Sequence, residues 1–305
     1  MSVDRTLIIK GPAVLTYDAA SIFSTDDIAV RWITDYFDVN SSAFGRLKRR
    51  VQARRIEIEL TPAMWTDLAK LFPYATKNIG DAIFGATDKA LVITPRNGAP
   101  ITFDNAAITR LPGITLSANK AILRPMTFTC LCANSASPAT AANWFSFGVV
   151  GTDVALTGFD LTKVYNDLYS LAFNTVTYRS EEGFTLEFNL SLDPDLVDGD
   201  GIVNYRIREL EATLRFTPAL KTEAEYATLL GWDGKGIGSD PTAANAVISG
   251  TAVGSPVVTL TNAMVAEGGV RYGAANRLGE VQLQSIRTIS SNVLSALWSF
   301  SSVSS

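Results

Sequence analysis

Four carboxylates stand close together in the second half of the chain: Asp193, Asp195, Asp198 and Asp200. Hard cations such as Ca²⁺ take several carboxylate and carbonyl oxygens, so the cluster is a candidate cation site. The spacing of an EF-hand loop is broken, however, and no Glu stands at the closing position. Asp-Gly pairs are typical of β-hairpin turns. We therefore interpret the cluster as a solvated acidic hairpin tip, with no metal or other cofactor.

A basic run in the first half is the second candidate, and its members are Arg46, Lys48, Arg49, Arg50, Arg54 and Arg55. Clustered Lys and Arg can neutralise nucleic-acid phosphates. Phe44 is the single nearby aromatic ring that could stack on a base, and the whole chain carries a net charge of −4. The sequence therefore predicts no specific binding of nucleic acid.

The residue types needed for common catalytic sites are missing. Histidine is absent, which excludes Ser-His-Asp and Cys-His hydrolysis. Cys130 and Cys132 are the only two cysteines, too few to hold zinc, and as i and i+2 residues of a strand they are poorly placed for a disulfide. We interpret them as small apolar residues of a sheet core. The glycines around residues 231–238 lack the spacing of a phosphate-binding loop. No enzyme is predicted.

The elements that position the charged runs occur twice. An alternating stretch in the first half ends at Thr61-Pro62, and a similar stretch ends at Thr217-Pro218, 156 residues later (62 and 218). Further matching segments follow in the same order, at offsets of 155 to 158 residues. A shared order at a nearly constant offset indicates an internal duplication.

Each copy of the repeat has the same predicted plan: early strands, a loop with a long returning strand, one helix, and about three more strands. Alternating polar and apolar residues between turn signals predict an antiparallel β-sandwich or partly closed barrel. The fold class is therefore mostly β (α+β), with two tandem domains at 1–134 and 145–305, the second with a C-terminal extension. A linker rich in Ser, Ala and Thr is predicted at 135–144.

The predicted helices run from Pro62 to Tyr74 and from Pro218 to Trp232. Phe72 and Tyr74 in the first copy, with Leu230 and Trp232 in the second, lie on the apolar stripe. We expect these residues to anchor each helix on its own sheet.

The basic and acidic runs fall at equivalent places, because each lies just before the stretch that ends in Thr-Pro. Opposite charge at equivalent loops, residues 41–54 and 193–204, suggests complementary contacts between copies of the protein. The sequence has no apolar stretch long enough to span a membrane, and its start lacks the apolar core of a signal peptide. Synthesis in the cytoplasm is the expectation.

Several segments resemble the tail tube proteins of long-tailed bacteriophages. They are GPAVLTYD (11–18), RVQARRIEIELTP (50–62), LFPYA (71–75), IFGATDK (83–89) and NAAITR (105–110). The resemblance covers residues 10–132 well, and it extends to the rest of the chain through the internal repeat.

The resemblance implies a β-sandwich with a flanking helix, whose sheets join between subunits around a lumen. It implies stacked rings in the virion tail, partners among the tail terminator, baseplate and tape-measure proteins, and genomic DNA passing through without specific binding. The usual ring has six one-domain copies. A duplicated chain departs from that pattern and implies a trimer with pseudo-sixfold symmetry rather than a hexamer.

Two other classes of protein remain open from the sequence. One is another ring-forming component of the tail or baseplate. The other is a carbohydrate-binding β-sandwich module, which would need an exposed cluster of aromatic side chains.

Overall fold

The structure, a computed structural model, describes residues 10–63, 68–85, 89–118, 120–132, 140–152, 154–155, 167–198, 200–219, 222–230, 237, 243–271, 277–290 and 293–303. Antiparallel strands in two large sheets make up most of these residues, and the two α-helices are short. The mostly β fold predicted from the alternating sequence is confirmed.

The first half of the chain contributes ten strands and one helix. In chain order they are β1 (Lys10–Tyr17), β2 (Ala20–Phe23), β3 (Ala29–Ser41), β4 (Gly45–Leu60), α1 (Leu68–Leu71), β5 (Lys89–Asn97), β6 (Ile101–Arg110), β7 (Ile114–Ser117), β8 (Lys120–Leu123), β9 (Met126–Cys130) and, after a 3₁₀ turn at Ala141–Asn143, β10 (Ser146–Phe147).

The second half contributes twelve strands and one helix. They are β11 (Ser170–Phe173), β12 (Val176–Tyr178), β13 (Phe184–Val197), β14 (Gly201–Phe216), α2 (Glu223–Leu230), β15 (Ala244–Ser249), β16 (Pro256–Glu267), β17 (Val270–Arg271), β18 (Arg277–Leu278), β19 (Val281–Ser285), β20 (Ile289–Ser290), β21 (Val293–Leu294) and β22 (Trp298–Ser302).

The two sheets have the same strand order. The first runs β2-β1-β5-β6-β9-β4-β3, with β10 paired to β6, and the second runs β12-β11-β15-β16-β19-β14-β13, with β22 paired to β16. The second sheet then continues through β7 and β8, which come from the first half of the chain. Residues 50–132 and 204–287 therefore share the strand order that the internal repeat predicts.

Local details repeat at the same offset. The β1–β2 turn has positive φ at Asp18 and Ala19, and the β11–β12 turn has positive φ at Asn174 and Thr175. Such two-residue turns match the twist of a hairpin. Ser24 forms a β-bridge with Pro62, and Ser180 forms one with Pro218. The backbone around each Thr-Pro pair is therefore extended.

Pro62 and Pro218 lie in these β-bridges and not in the first turn of a helix, so the predicted helix starts at these two prolines are wrong. The second helix begins with a capping box, in which the Thr222 hydroxyl accepts the Glu225 N–H (3.3 Å) and a Glu225 carboxylate oxygen accepts the Thr222 N–H (3.0 Å).

The anchor residues behave differently from one another. Tyr74 donates its hydroxyl to the Ile108 carbonyl oxygen of its own sheet (2.6 Å). Phe72 instead packs on Phe188 and Phe300 of the second sheet, so the prediction that it anchors its own sheet is wrong. Leu230 is partly buried. Trp232 lies outside the described residues, as does the first half of the predicted linker (135–139).

The sheets do not divide the chain where the domain boundary was predicted. Ser146 pairs with Thr102 and Phe147 with Ile101, and Gly98 forms a bridge with Gly151, so residues just after 145 extend the first sheet. The buried apolar side chains of both sheets form one continuous cluster. The two repeats are therefore packed against each other.

Candidate assembly interface

The predicted charged residues lie on two long hairpins. Arg46, Lys48, Arg49 and Arg50 are exposed residues of β4, and Asp193 and Asp195 belong to β13. Asp198 and Asp200 lie in the turn that joins β13 to β14. The expected loops at 41–54 and 193–204 are therefore largely strands, because β3–β4 and β13–β14 stay paired almost to their tips.

Each charged run is partly neutralised inside its own hairpin. Asp38 accepts hydrogen bonds from Arg49 (3.1 Å) and Arg46 (3.4 Å), and the bond from Arg49 is the main reason that the pKa of Asp38 lies below its usual range. Asp195 pairs in the same way with Arg206 (2.9 Å). Sequence reasoning missed these ion pairs, although the partners are close together on adjacent strands.

Within the described part of one chain, the acidic tip lies against the first hairpin without an ion pair to the basic run. Gly201 closes the acidic turn, and a Cβ on it would lie 3.2 Å from the Ala53 Cα atom, so this tip packs on the first hairpin. Among the described residues, no ion pair joins the four aspartates to Arg46, Lys48, Arg49 or Arg50. Contact between the runs of different copies stays a prediction.

The repeats join through a hairpin that leaves its own sheet. Strand β7 pairs with β13, with Leu116 opposite Phe184, Thr115 opposite Thr185, and Ile114 opposite Leu186. The hairpin β7–β8 thus extends the edge of the second sheet. Nothing in the local alternation of residues 114–123 distinguishes this edge from that of the first sheet.

Residues 72–84 make the second link between the repeats. The Gly80 N–H donates to the Ile207 carbonyl (2.7 Å), and the Ile83 N–H donates to the Tyr205 carbonyl (3.0 Å). The side-chain amide of Asn204 both accepts from the Phe84 N–H (3.0 Å) and donates to the Phe84 carbonyl (3.1 Å). This segment therefore covers part of β14 like an added strand.

An aromatic cluster is buried at this junction. Phe188 contacts Phe72 (ring centroids 4.6 Å apart) and Trp298 (4.9 Å). The indole N–H of Trp298 donates to the Phe72 carbonyl (3.4 Å). Phe188 is only 7% exposed as a result.

The equivalent surface of the first sheet is open. Trp32 stands where Phe188 stands in the second copy, 156 residues earlier, and it is 57% exposed. Val51 corresponds to Ile207, and the two are 46% and 1% exposed. Other large exposed apolar residues on the same hairpin are Tyr36, Phe37, Phe44 and Leu47. Trp32 and Val51 thus lie on an open apolar surface, whereas their counterparts Phe188 and Ile207 are covered within the chain.

The predicted basic run lies on this open surface. Lys48, Arg49 and Arg50 correspond to Asn204, Tyr205 and Arg206, which receive residues 80–84 in the second sheet. The basic run is therefore placed where the first hairpin would meet another copy.

Each sheet has a groove beside its edge, and the groove of the first sheet is more open than that of the second. The groove along Ser24–Val30 in the first sheet (residues 24–28 and 30) has a volume of about 830 Å³. Its counterpart at residues 180–184 measures about 490 Å³ and is also lined by Leu116, Ser117 and Ala118 of the β7–β8 hairpin. The first groove lacks this hairpin.

The described part of the chain offers little for other chemistry. It contains no group of three or more Cys, Asp or Glu residues placed to hold a metal ion. Cys130 is buried, which raises the pKa of its thiol, and Cys132 is partly buried; neither forms a disulfide. No described helix is both long and apolar enough to cross a membrane.

Neither the protein-family models nor the curated proteins yield a match to this chain.

Proposed function

We propose that this chain is a structural subunit that assembles into stacked rings, and that these rings form the tail tube of a long-tailed bacteriophage. The observation that carries the proposal is the contact between the two repeats. The first repeat donates a hairpin and residues 72–84, and the second repeat accepts them on β13 and β14. The accepting surface of the first repeat remains open.

A contact of this kind is heterologous, because the donor and acceptor surfaces differ. Repeated from one copy to the next, a heterologous contact generates a closed ring or a filament. Closure also pairs the strand edges that would otherwise promote uncontrolled aggregation. These points favour a ring-forming protein over a monomeric module.

The proposed ring has three chains and six repeats, which gives pseudo-sixfold symmetry. This number comes from the resemblance of the sequence to tail tube proteins, whose usual ring holds six copies of one domain. A weakly acidic protein suits a lumen through which DNA slides, because clustered phosphate contacts would hold the DNA in place. The subunit would then be made in the host cytoplasm and reside in the virion tail.

Electron microscopy of the purified full-length chain tests the proposal. We expect rings or tubes with threefold symmetry, and native mass spectrometry should give three chains per ring. A sixfold ring with one chain at each position would contradict the trimer. A protein that stays monomeric at every concentration would contradict assembly itself.

The open aromatic cluster also allows a test of the carbohydrate-binding alternative. Trp32 contacts Phe145, and Phe145 contacts Phe147, so three rings lie together on the first sheet. Binding of soluble glycans by the monomer, lost in Trp32→Ala, would support that alternative. Stacked rings without glycan binding would support the proposed function.

A further inference from the structure

We propose that the β17–β18 hairpin of one chain adds to the free edge of β3 in the next chain, with Arg271 opposite Ala29 and Val270 opposite Val30. The inference rests on the proposed function, because it names the segments by which successive copies join. It is drawn from the equivalent contact that β7 makes with β13 inside the chain.

The donor hairpins of the two repeats are equivalent. Hairpin β7–β8 lies between β6 and β9, and β17–β18 lies between β16 and β19. Ile114 is opposite Leu123 in the first, and Val270 is opposite Leu278 in the second. The base of each hairpin is closed by the same backbone hydrogen bond, from Arg124 to Gly113 (2.8 Å) and from Gly279 to Gly269 (2.6 Å).

The two hairpins differ in what they touch. Strand β7 pairs with β13, whereas β17 and β18 form a separate two-stranded sheet and pair with no other described strand. The second hairpin is therefore a donor without an acceptor in the described part of its own chain.

The acceptor strands are equivalent as well. Ala29 is opposite Glu59 on β4, and Thr185 is opposite Arg215 on β14, again 156 residues apart (29 and 185). Strand β3 ends the first sheet and pairs only with β4 among the described strands. Phe184 and Leu186 are buried beneath β7, while their counterparts Ile28 and Val30 are half-buried. An added strand would bury them.

Glycines mark the approach of the donor to the acceptor. A Cβ on Gly113 would lie 3.3 Å from the Leu186 carbonyl oxygen, so the neighbouring strand comes close at this point. Gly269 occupies the equivalent position, and a Cβ on it would meet nothing within 4 Å. In the part of the chain that the structure describes, no neighbouring strand therefore comes as close to Gly269 as β13 comes to Gly113.

The charges at the two contacts are reversed. Inside the chain, Arg124 of the donor pairs with Glu187 of the acceptor (2.9 Å). In the proposed contact, Arg31 takes the place of Glu187, and the donor carries Glu280 directly after the counterpart of Arg124. Arg31 also pairs with Glu59 (3.2 Å), and Glu280 lies 3.9 Å from Arg215. The charges therefore act mainly on specificity, because exchanging the two donors would bring like charges together and so disfavour the wrong order of repeats.

Cysteine cross-linking tests the register. Ala29→Cys and Arg271→Cys are made in separate full-length chains, mixed and oxidised. Directly opposed residues of antiparallel strands are close enough for a disulfide. We expect a covalent dimer in the mixture and none above background in either variant alone. Each single variant still contains the native Cys130 and Cys132, so it measures any cross-linking through those two cysteines.

Two matched variants complete the experiment. Thr115→Cys with Thr185→Cys in one chain should form a disulfide within the chain and serves as the positive control. Thr34→Cys, on the same strand as Ala29 but out of register, should not cross-link to Arg271→Cys.

The outcomes separate this inference from the proposed function. Rings or tubes that form without the Ala29–Arg271 disulfide, while the internal control forms, would overturn the inference and leave ring assembly intact. Equal cross-linking of Thr34→Cys would overturn the register. A chain that stays monomeric and does not cross-link would overturn both proposals.

Discussion

Trp32 and Phe188 occupy the same position in the two repeats, yet their surroundings differ because Phe72 packs on Phe188, whereas Trp32 is largely exposed. We expect Phe188→Ala to lower the free energy of unfolding by about 3–5 kcal/mol, since it leaves a cavity in a packed core. Trp32→Ala should change it by less than about 1 kcal/mol and should weaken assembly instead.

Denaturant unfolding of the dilute monomer and sedimentation of concentrated protein measure the two effects separately. If Trp32→Ala destabilised the monomer as much as Phe188→Ala, the open surface would be part of the core of the single chain.

Ionisation of Asp167 should make the stability of the folded chain depend on pH. Its carboxylate accepts hydrogen bonds from the Thr251 N–H (2.7 Å), the Ala252 N–H (2.8 Å) and the Ser255 hydroxyl (2.6 Å), which ties the β15–β16 turn to the start of β11. Partial burial raises the pKa of Asp167, but the hydrogen bonds from the Ala252 N–H and from the Ser255 and Thr251 hydroxyls outweigh it and hold the pKa well below its usual range.

A lowered pKa in the folded state stabilises the protein above the pKa of the unfolded state, about 3.9 for aspartate, and this contribution is lost as the pH falls. We expect Asp167→Asn to be less stable than the wild type at pH 7, and the difference to shrink below about pH 4. Thermal unfolding from pH 7 to pH 3 measures it. A difference that is constant with pH would show that the ionised carboxylate is not what holds the turn.

At the scale of elements, the two glycines at the bases of the donor hairpins give a matched comparison. Gly113→Val should destabilise the folded chain by about 1–3 kcal/mol, because the new side chain would press on Arg124 and the Leu186 carbonyl. Gly269→Val should leave the unfolding midpoint of the monomer unchanged, because a Cβ on Gly269 meets no described atom within 4 Å, and it should block ring formation.

Denaturant unfolding of the monomer and native mass spectrometry of both variants measure the effects on stability and on ring formation. Normal rings from Gly269→Val would mean that no strand approaches this hairpin as β13 approaches Gly113.

The elements themselves were well predicted where their signal is local. Alternation in residues 54–62 and 208–218 predicted strands that the structure has as parts of β4 and β14. The Asp-Gly pairs predicted the turn between β13 and β14. The helix starts were predicted wrongly, since apolar spacing after Pro62 and Pro218 does not reveal the β-bridges in which these two prolines lie.

At the scale of the whole molecule, the ion pairs sharpen the prediction about the basic run. Arg46 and Arg49 pair with Asp38, so reversing them would disturb the hairpin itself. Lys48 and Arg50 form no ion pair with any described residue. Lys48→Glu with Arg50→Glu should therefore block or misalign ring and tube growth while leaving the melting temperature within about 2 °C.

Electron microscopy and thermal unfolding of this double variant provide the measurement, and Arg46→Glu with Arg49→Glu is the control that should loosen the hairpin. Normal tubes from Lys48→Glu with Arg50→Glu would remove the basic run from the assembly contacts.

The sequence by itself determined the duplication, the mostly β fold and the absence of a histidine-based site, because repeat offset, alternation and composition are local or additive properties of the chain. Tertiary structure decided which repeat each segment joins. Strand β7 alternates like any edge strand, yet it pairs with β13, and residues 80–84 cover part of β14. The physical reason is that strand edges offer the same backbone groups everywhere, so a partner is selected by side-chain packing and charge across the whole surface. Because β7 pairs with β13 and not with β3, the edge of β3 stays open, and the candidate interface lies at this edge.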